Sequence, residues 1–204
     1  ESPATPRPRA LWPRRLLAGL LTLLVLAALV AWLNVRGEAP IDDTADAPFT
    51  ATPQQIAQGA YIARAGNCAA CHTALGGADY AGGLGIATPF GTVYTSNLTP
   101  DADTGLGRWT ADDFWRALHE GRSRDGRLLS PAFPYTSYTL LSRADSDALF
   151  GHLQSQPAVH QPPRPQTLPW PYGSPWALAA WRAAWCSRLQ RSGWARYWQR
   201  ARSR

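Results

Sequence analysis

The chain contains no methionine and no lysine, only three cysteines, and no acidic residue beyond position 160. Each shortage narrows the reading. Without methionine there is no initiator residue, so the N-terminus reads as processed or truncated, and no thioether is on hand as a metal ligand. The lack of lysine makes all 20 basic residues arginine, a usage bias without functional content. The missing acids show that the net charge of +6 is unevenly spread. Residues 1–15 carry Arg7, Arg9, Arg14 and Arg15 against Glu1, for +3; residues 16–160 carry −5; residues 161–204 carry eight arginines, for +8. An acidic centre argues against nucleic acid as its partner, and the basic ends suit a membrane or another subunit. At 204 residues, 45% hydrophobic and 11% aromatic, the chain is long and apolar enough for one globular domain with appendages rather than a disordered polymer.

One long apolar run is present. Leu16 to Leu33 is free of charge over 18 residues, about 27 Å of helix, which just crosses a bilayer. The arginines before it, and Glu38, Asp42, Asp43 and Asp46 after it, orient the N-terminus toward the cytoplasm. A cleaved signal peptide is the alternative, with Val25-Leu26-Ala27 as small enough residues for cleavage. Either reading exports the remainder of the chain. The expected organisation is an anchor or signal over residues 1–35, a polar linker over 36–51, a helical domain over 52–160 and a Pro/Trp/Arg-rich tail over 161–204.

Three capping-box patterns predict helix starts at Thr52-Pro53-Gln54-Gln55, Thr110-Ala111-Asp112-Asp113 and Ser142-Arg143-Ala144-Asp145. The first leads through Ile56, Ala60 and Tyr61 into Cys68; the second has Phe114, Trp115 and Leu118 as its buried stripe and Gly121 as its stop; the third has Leu149, Phe150 and Leu153 inside. Residues 73–108, rich in glycine and proline and without a sustained period, read as loop. In the tail, Ser174-Pro175 starts a helix with Leu178, Trp181, Trp185 and Leu189 as one stripe, interrupted by Gly193. The tail holds six of the ten tryptophans; it suits the headgroup region of a membrane, a subunit interface, or a strap packed on the helical domain.

Past the first helix lies Asn67-Cys68-Ala69-Ala70-Cys71-His72, the Cys-x-x-Cys-His signature of c-type haem attachment. Cys68 and Cys71 each add to one vinyl group of the porphyrin, and His72 presents its imidazole to the iron. Zinc needs two further ligands, and Cys186, His119, His152 and His160 lack the paired spacing of zinc modules. A redox dithiol would follow a strand, and no strand pattern precedes Cys68. Asn97-Leu98-Thr99 matches a glycosylation sequon and is treated as chance.

The run GAYIARAGNCAACHTALGGADYAGG, followed by TPFGTVYTSNLTPDADTGLGRWTADDFWRALHEGRSRDGRLLSPAFPYTSYTLLS, resembles the first haem domain of the cytochrome c subunits of membrane-bound bacterial alcohol, gluconate, sorbitol and aldehyde dehydrogenases. The resemblance covers about residues 58–157, with GRW and PYTSYT its most specific segments. It implies a mainly α, class I cytochrome c fold facing the periplasm, which joins the N-terminal transmembrane helix, placed in the inner membrane, and the C-terminal helical tail read above from the residues. It implies electron relay from a dehydrogenase catalytic subunit toward quinone or another acceptor, with no catalysis by the chain itself. Trp109 corresponds to a tryptophan packed near the haem, with its indole N–H toward a propionate; Tyr94, Ser96 and Asn97 are further propionate donors. Three departures stand out. One haem motif occurs where relatives have three, Leu75 replaces a proline, and Phe133 stands where the family has its axial methionine. The sixth iron position is therefore expected to be vacant behind Phe133, Pro131 and Pro134, or filled by a recruited side chain such as His119. A haem-based gas-binding or sensing protein is the alternative function.

Overall fold

The computed structural model describes residues 12–35 and 49–191, with the backbone alone at 33, 35 and 185–191. The chain divides into two compact units, residues 1–37 and 38–204. The first contains α1, Trp12–Val35, long and apolar enough from Trp12 to Trp32 to cross a membrane. Its apolar side chains are open, with Leu16, Leu17, Leu20 and Leu23 each more than half exposed. Its few polar groups bond to the helix itself: Thr22 Oγ1 donates to the Ala18 carbonyl at 2.9 Å and Asn34 Nδ2 to that of Val30 at 2.8 Å. Such internal satisfaction is what a lipid environment requires.

The second unit is rich in helix. α2 spans Pro53–Ala65 and α3 Cys68–His72; α4 spans Ala111–Glu120, α5 Tyr135–Tyr138, α6 Arg143–Gln154 and α7 Pro175–Arg191. Two of the three expected capping boxes form in full, Thr52 with Gln55 and Thr110 with Asp113. The third differs. Ser142 Oγ accepts from the Asp145 amide at 3.1 Å, but the Asp145 carboxylate takes the Ser142 hydroxyl at 2.7 Å instead of reaching back to the N-cap amide. Ser174 caps α7 by accepting the Ala177 amide at 3.2 Å.

The core forms where α2 crosses α6. Ala63 of α2 packs with Leu149, Phe150 and Leu153 of α6 and with Phe114 and Leu118 of α4. Phe150 lies between the rings of Phe49 at 5.4 Å and Phe114 at 5.3 Å. The crossing is close because Gly59 has no side chain: a Cβ there would run into the Ala148 carbonyl oxygen. Glycine inside a helix is destabilising by about 0.5–1 kcal/mol relative to alanine, and the close helix contact offsets that loss.

Residues 73–108 are not all loop. They contain the antiparallel hairpin β1, Gly85–Thr88, and β2, Gly91–Tyr94, with Ile86 opposite Val93. Strands of four residues show too little alternation to register in the sequence. Gly91, at φ 120°, closes the turn, where Thr88 Oγ1 donates to the Gly91 carbonyl at 2.7 Å. The tail then supplies a third edge. The Thr167 amide donates to the Thr92 carbonyl at 3.0 Å, and the Gln166 side chain takes the Tyr94 amide at 2.7 Å while donating to the Tyr94 carbonyl at 3.1 Å. Residues 166–172 thus lie as a strap on the hairpin, held also by the Phe90–Tyr172 ring contact at 4.5 Å. The side chains of Trp185, Cys186 and Leu189, and Gly193, lie outside the described residues, as does the linker expected before residue 49.

Gly59→Val should lower unfolding free energy by at least about 3 kcal/mol, because backbone of one helix blocks the new side chain. The neighbouring exposed change Gln58→Ala should stay within about 0.5 kcal/mol. Denaturant titration of the two variants checks the contrast.

Candidate cofactor site

Between α2 and α3 the chain turns at Asn67, in the left-handed region at φ 53°, a conformation asparagine tolerates better than most residues. The single turn of α3 then places Cys68 and Cys71, three positions apart, on one side. Both thiols are free. Burial pushes the Cys68 thiol above its ordinary pKa, and the neighbouring Cys71 adds to the shift, so the group stays protonated.

His72 is held by a distant loop. Its Nδ1–H donates to the Ser96 carbonyl at 2.7 Å. A carbonyl only accepts, so this bond fixes the proton on Nδ1 and leaves the Nε2 lone pair available. Burial lowers the imidazole pKa and outweighs the opposing effect of the Ser96 bond, which keeps the ring neutral. Leu75, standing where the resembling family has proline, is 97% exposed and plays no part in holding the ring. What brings Ser96 close is Gly82: its φ is +75°, its amide donates to the His72 carbonyl at 2.7 Å, and a Cβ would collide with the Ser96 carbonyl oxygen.

Cys68, Cys71 and His72 open onto a cavity of about 1630 Å³, above the roughly 300–1,000 Å³ of ordinary ligand pockets. Its apolar lining is the core itself. Leu106, Phe114, Leu118, Leu149 and Leu153 belong to the buried cluster and also face the cavity. Native cores close over voids much smaller than this one. A large, flat, mostly apolar guest that bonds two thiols and accepts an imidazole lone pair fits this wall, and haem c has those properties.

Trp109 and Phe133 line the same cavity, as do Tyr94, Ser96 and Asn97. Phe133 stacks on Tyr138 at 5.6 Å. Pro134 is also in the lining and Pro131 is not, so the expected lid is formed by Phe133 and Pro134 without Pro131. Asn97 is unsuited to the propionate role given it by the sequence. Its Nδ2 donates to Thr104 Oγ1 at 2.9 Å and to the Val159 carbonyl at 2.8 Å, and its Oδ1 accepts both the amide and the hydroxyl of Thr99. Thr99 is 0% exposed, so the sequon is sealed inside the fold. His119 is turned away: its ring nitrogens lie 3.0 Å from the Trp115 and Leu141 carbonyl oxygens and its ring stacks on Trp115 at 3.4 Å. His152, edge-on to Tyr80 at 5.9 Å, and His160, 3.5 Å from Asp101, are also outside the lining. Among the described residues, no three His, Cys, Asp or Glu side chains converge as a metal site.

The rim is ionic. Arg116 is buried between Asp113 at 3.8 Å and Glu120 at 3.9 Å, and Arg143 bridges Asp112 at 2.5 Å and Asp147 at 2.7 Å. Arg164 of the strap lies over Tyr94 at 5.7 Å. Sequence reasoning missed the strap's share of the wall, Arg164, Gln166, Leu168, Tyr172 and Leu178, and the carbonyl of Ser96. These contacts span 24 to 75 residues, and no local pattern announces them.

No family model matches the chain. It is 41% identical over 194 residues to a nicotinate dehydrogenase subunit of Pseudomonas putida, an alignment covering 92% of this chain and 16% of that protein. It is 44% identical over 128 residues to the gluconate 2-dehydrogenase cytochrome c subunit of Pantoea cypripedii, covering 62% of this chain and 29% of the relative. It is 32% identical over 174 residues to a diheme cytochrome c-type protein of Cereibacter sphaeroides, covering 83% and 57%. Homologues of the chain are thus cytochrome c subunits of dehydrogenases, as the haem-motif run implied, and the chain spans less than two thirds of each of these three relatives.

Gly82→Val should break the approach of the 72 and 96 segments, since it adds a branched side chain at positive φ against a carbonyl. The expected result is loss of about 2 kcal/mol or more of stability. Thermal unfolding checks it, with Gly76→Val as a control: that glycine also has positive φ, at 72°, but nothing within 4 Å of its would-be Cβ.

Proposed function

We propose that this homologue of dehydrogenase cytochrome c subunits is a membrane-anchored, periplasmic, mono-haem c-type cytochrome that relays electrons from a dehydrogenase catalytic subunit toward quinone or another acceptor. The observation that carries the reading is the cavity walled by Cys68, Cys71 and a His72 whose Nδ1 is committed to Ser96. In this reading the two cysteines tie the cofactor through thioether bonds and His72 Nε2 ligates the iron. The bound haem supplies an iron that gains and loses one electron at a time. The chain's own residues make that change easy. The Ser96 bond keeps the imidazole in one tautomer and one orientation. The apolar wall of Phe114, Leu118, Leu149 and Leu153 keeps water, and the reorganisation it brings, away from the cofactor. Trp109 and the rim arginines offer N–H donors and positive charge to propionates.

The reading assigns residues 1–35 to the inner-membrane anchor, 36–51 to a linker, 52–160 to the cytochrome domain and 161–204 to the tail. Four arginines ahead of the apolar run and acids behind it put the domain outside the cytoplasm. No catalytic role is assigned to the chain itself. The 92% coverage against the nicotinate dehydrogenase relative, compared with 62% against the gluconate relative, shows that similarity extends beyond the haem-motif region in the former.

The full chain, expressed in a host that matures c-type cytochromes, should give one haem c per chain in a pyridine haemochrome assay. Cys68→Ala with Cys71→Ala should abolish covalent retention. Much less than one haem in the wild type would overturn the reading. In membranes of the source organism, addition of the partner's substrate should reduce the haem band, and the double variant should remove that signal.

A further inference from the structure

The lining of the cavity holds one imidazole and no thioether or amine. Apart from Cys68, Cys71 and His72, no lining side chain carries an imidazole, thiol, thioether or amine. The chain has no methionine or lysine to bring in from elsewhere, and its other described histidines are committed away from the cavity. Each ring nitrogen of His119 lies 3.0 Å from a carbonyl oxygen, so its recruitment would break at least one hydrogen bond and the stack on Trp115.

The segment that carries Phe133 is built, not loose. The Leu129 amide donates to the Gly121 carbonyl at 2.8 Å, the Phe133 amide to that of Ser130 at 3.0 Å, and the Tyr135 amide to that of Phe133 at 2.8 Å. Tyr135 is buried against Gly121, where a Cβ would stand 2.7 Å from its ring. Phe133 itself packs on the core and against Tyr138. An aromatic ring held this way walls off a coordination position without filling it.

We propose that this cavity is also a binding site for a small diatomic ligand such as carbon monoxide or nitric oxide, taken at the iron position that His72 does not occupy, beside Phe133. The inference rests on the haem reading above and adds a ligand to it. A neutral diatomic suits the site because Phe133, Leu128, Leu129 and Pro134 present apolar surface, whereas a hydrated anion would have to shed its water there.

The test uses the full chain with its haem, whose content is first measured as pyridine haemochrome; absence of haem overturns both readings at once. With haem present, the dithionite-reduced protein is titrated with carbon monoxide and followed by its Soret absorbance. The expected result is a high-spin ferrous spectrum and stoichiometric formation of a carbon monoxide adduct. A low-spin ferrous spectrum indifferent to carbon monoxide overturns the proposal while leaving the haem reading intact, and His119→Gln then tests for a recruited imidazole. Phe133→Met, of similar volume, should convert the protein toward a low-spin form of higher potential and weaken carbon monoxide binding at least about tenfold. Unchanged affinity in a folded, haem-loaded Phe133→Met protein would overturn the placement of the site beside Phe133.

Discussion

The second unit depends on the filling of its own core. Five of the eight residues of the buried cluster also face the cavity of about 1630 Å³. The contacts that would otherwise close the core are left for a guest. Side chains such as Phe114, Leu118 and Leu153 gain their dispersion energy only when atoms are present on both sides, and water against such a wall forfeits part of the hydrophobic gain. Anything that binds the folded state and not the unfolded one stabilises it in proportion to its occupancy. A covalently tied guest cannot dissociate, so in a haem-bearing chain that stabilisation would be permanent. On the proposed function, folding and loading would be coupled in this architecture, with the thiols at Cys68 and Cys71 making the coupling irreversible.

The same constraint explains where the glycines matter. A wall around a large guest is assembled from distant segments, and the close approaches fall at Gly59, which seats α2 on α6, and Gly82, which seats His72 against Ser96. The first sets how α2 crosses α6, whose Leu149 and Leu153 line the cavity; the second sets which nitrogen of His72 carries its proton. One is a packing requirement and the other an electronic one, and both are met by removing a Cβ.

What was legible in the sequence was local. Thr52/Gln55 and Thr110/Asp113 formed as capping boxes because both halves of that motif lie within four residues. Ser142/Asp145 has the same pattern and resolves differently: its carboxylate takes the serine hydroxyl in place of the N-cap amide, although Asp113 completes the box in α4. The cavity-lining positions of Trp109 and Phe133 followed from the resemblance of the surrounding run. The hairpin and its third edge were not legible: two strands of four residues are joined by a segment 72 to 75 positions away, through the side chains of Gln166 and Thr167 as much as through backbone. Asn97 lines the cavity, but its amide is committed to the Thr99–Thr104–Val159 network, a long-range arrangement that no local pattern in the sequence announces.

Relay and ligand binding place different demands on one pocket. A relay works best when the iron keeps both axial ligands in both oxidation states, since little then has to move. A pocket with His72 alone gives that up on one face, but its rigidity limits the loss: Phe133 is packed, its turn is hydrogen-bonded, and the apolar surroundings disfavour entry of charged or strongly hydrated species. In the proposed relay the absence of a thioether ligand, which raises the potential in cytochromes c, would move the site toward a lower potential and make it a better donor to its acceptor. It would also make it a more demanding acceptor for its reductant. In the proposed relay such a site would suit an electron source that is itself strongly reducing, because electrons flow outward only from a donor of still lower potential.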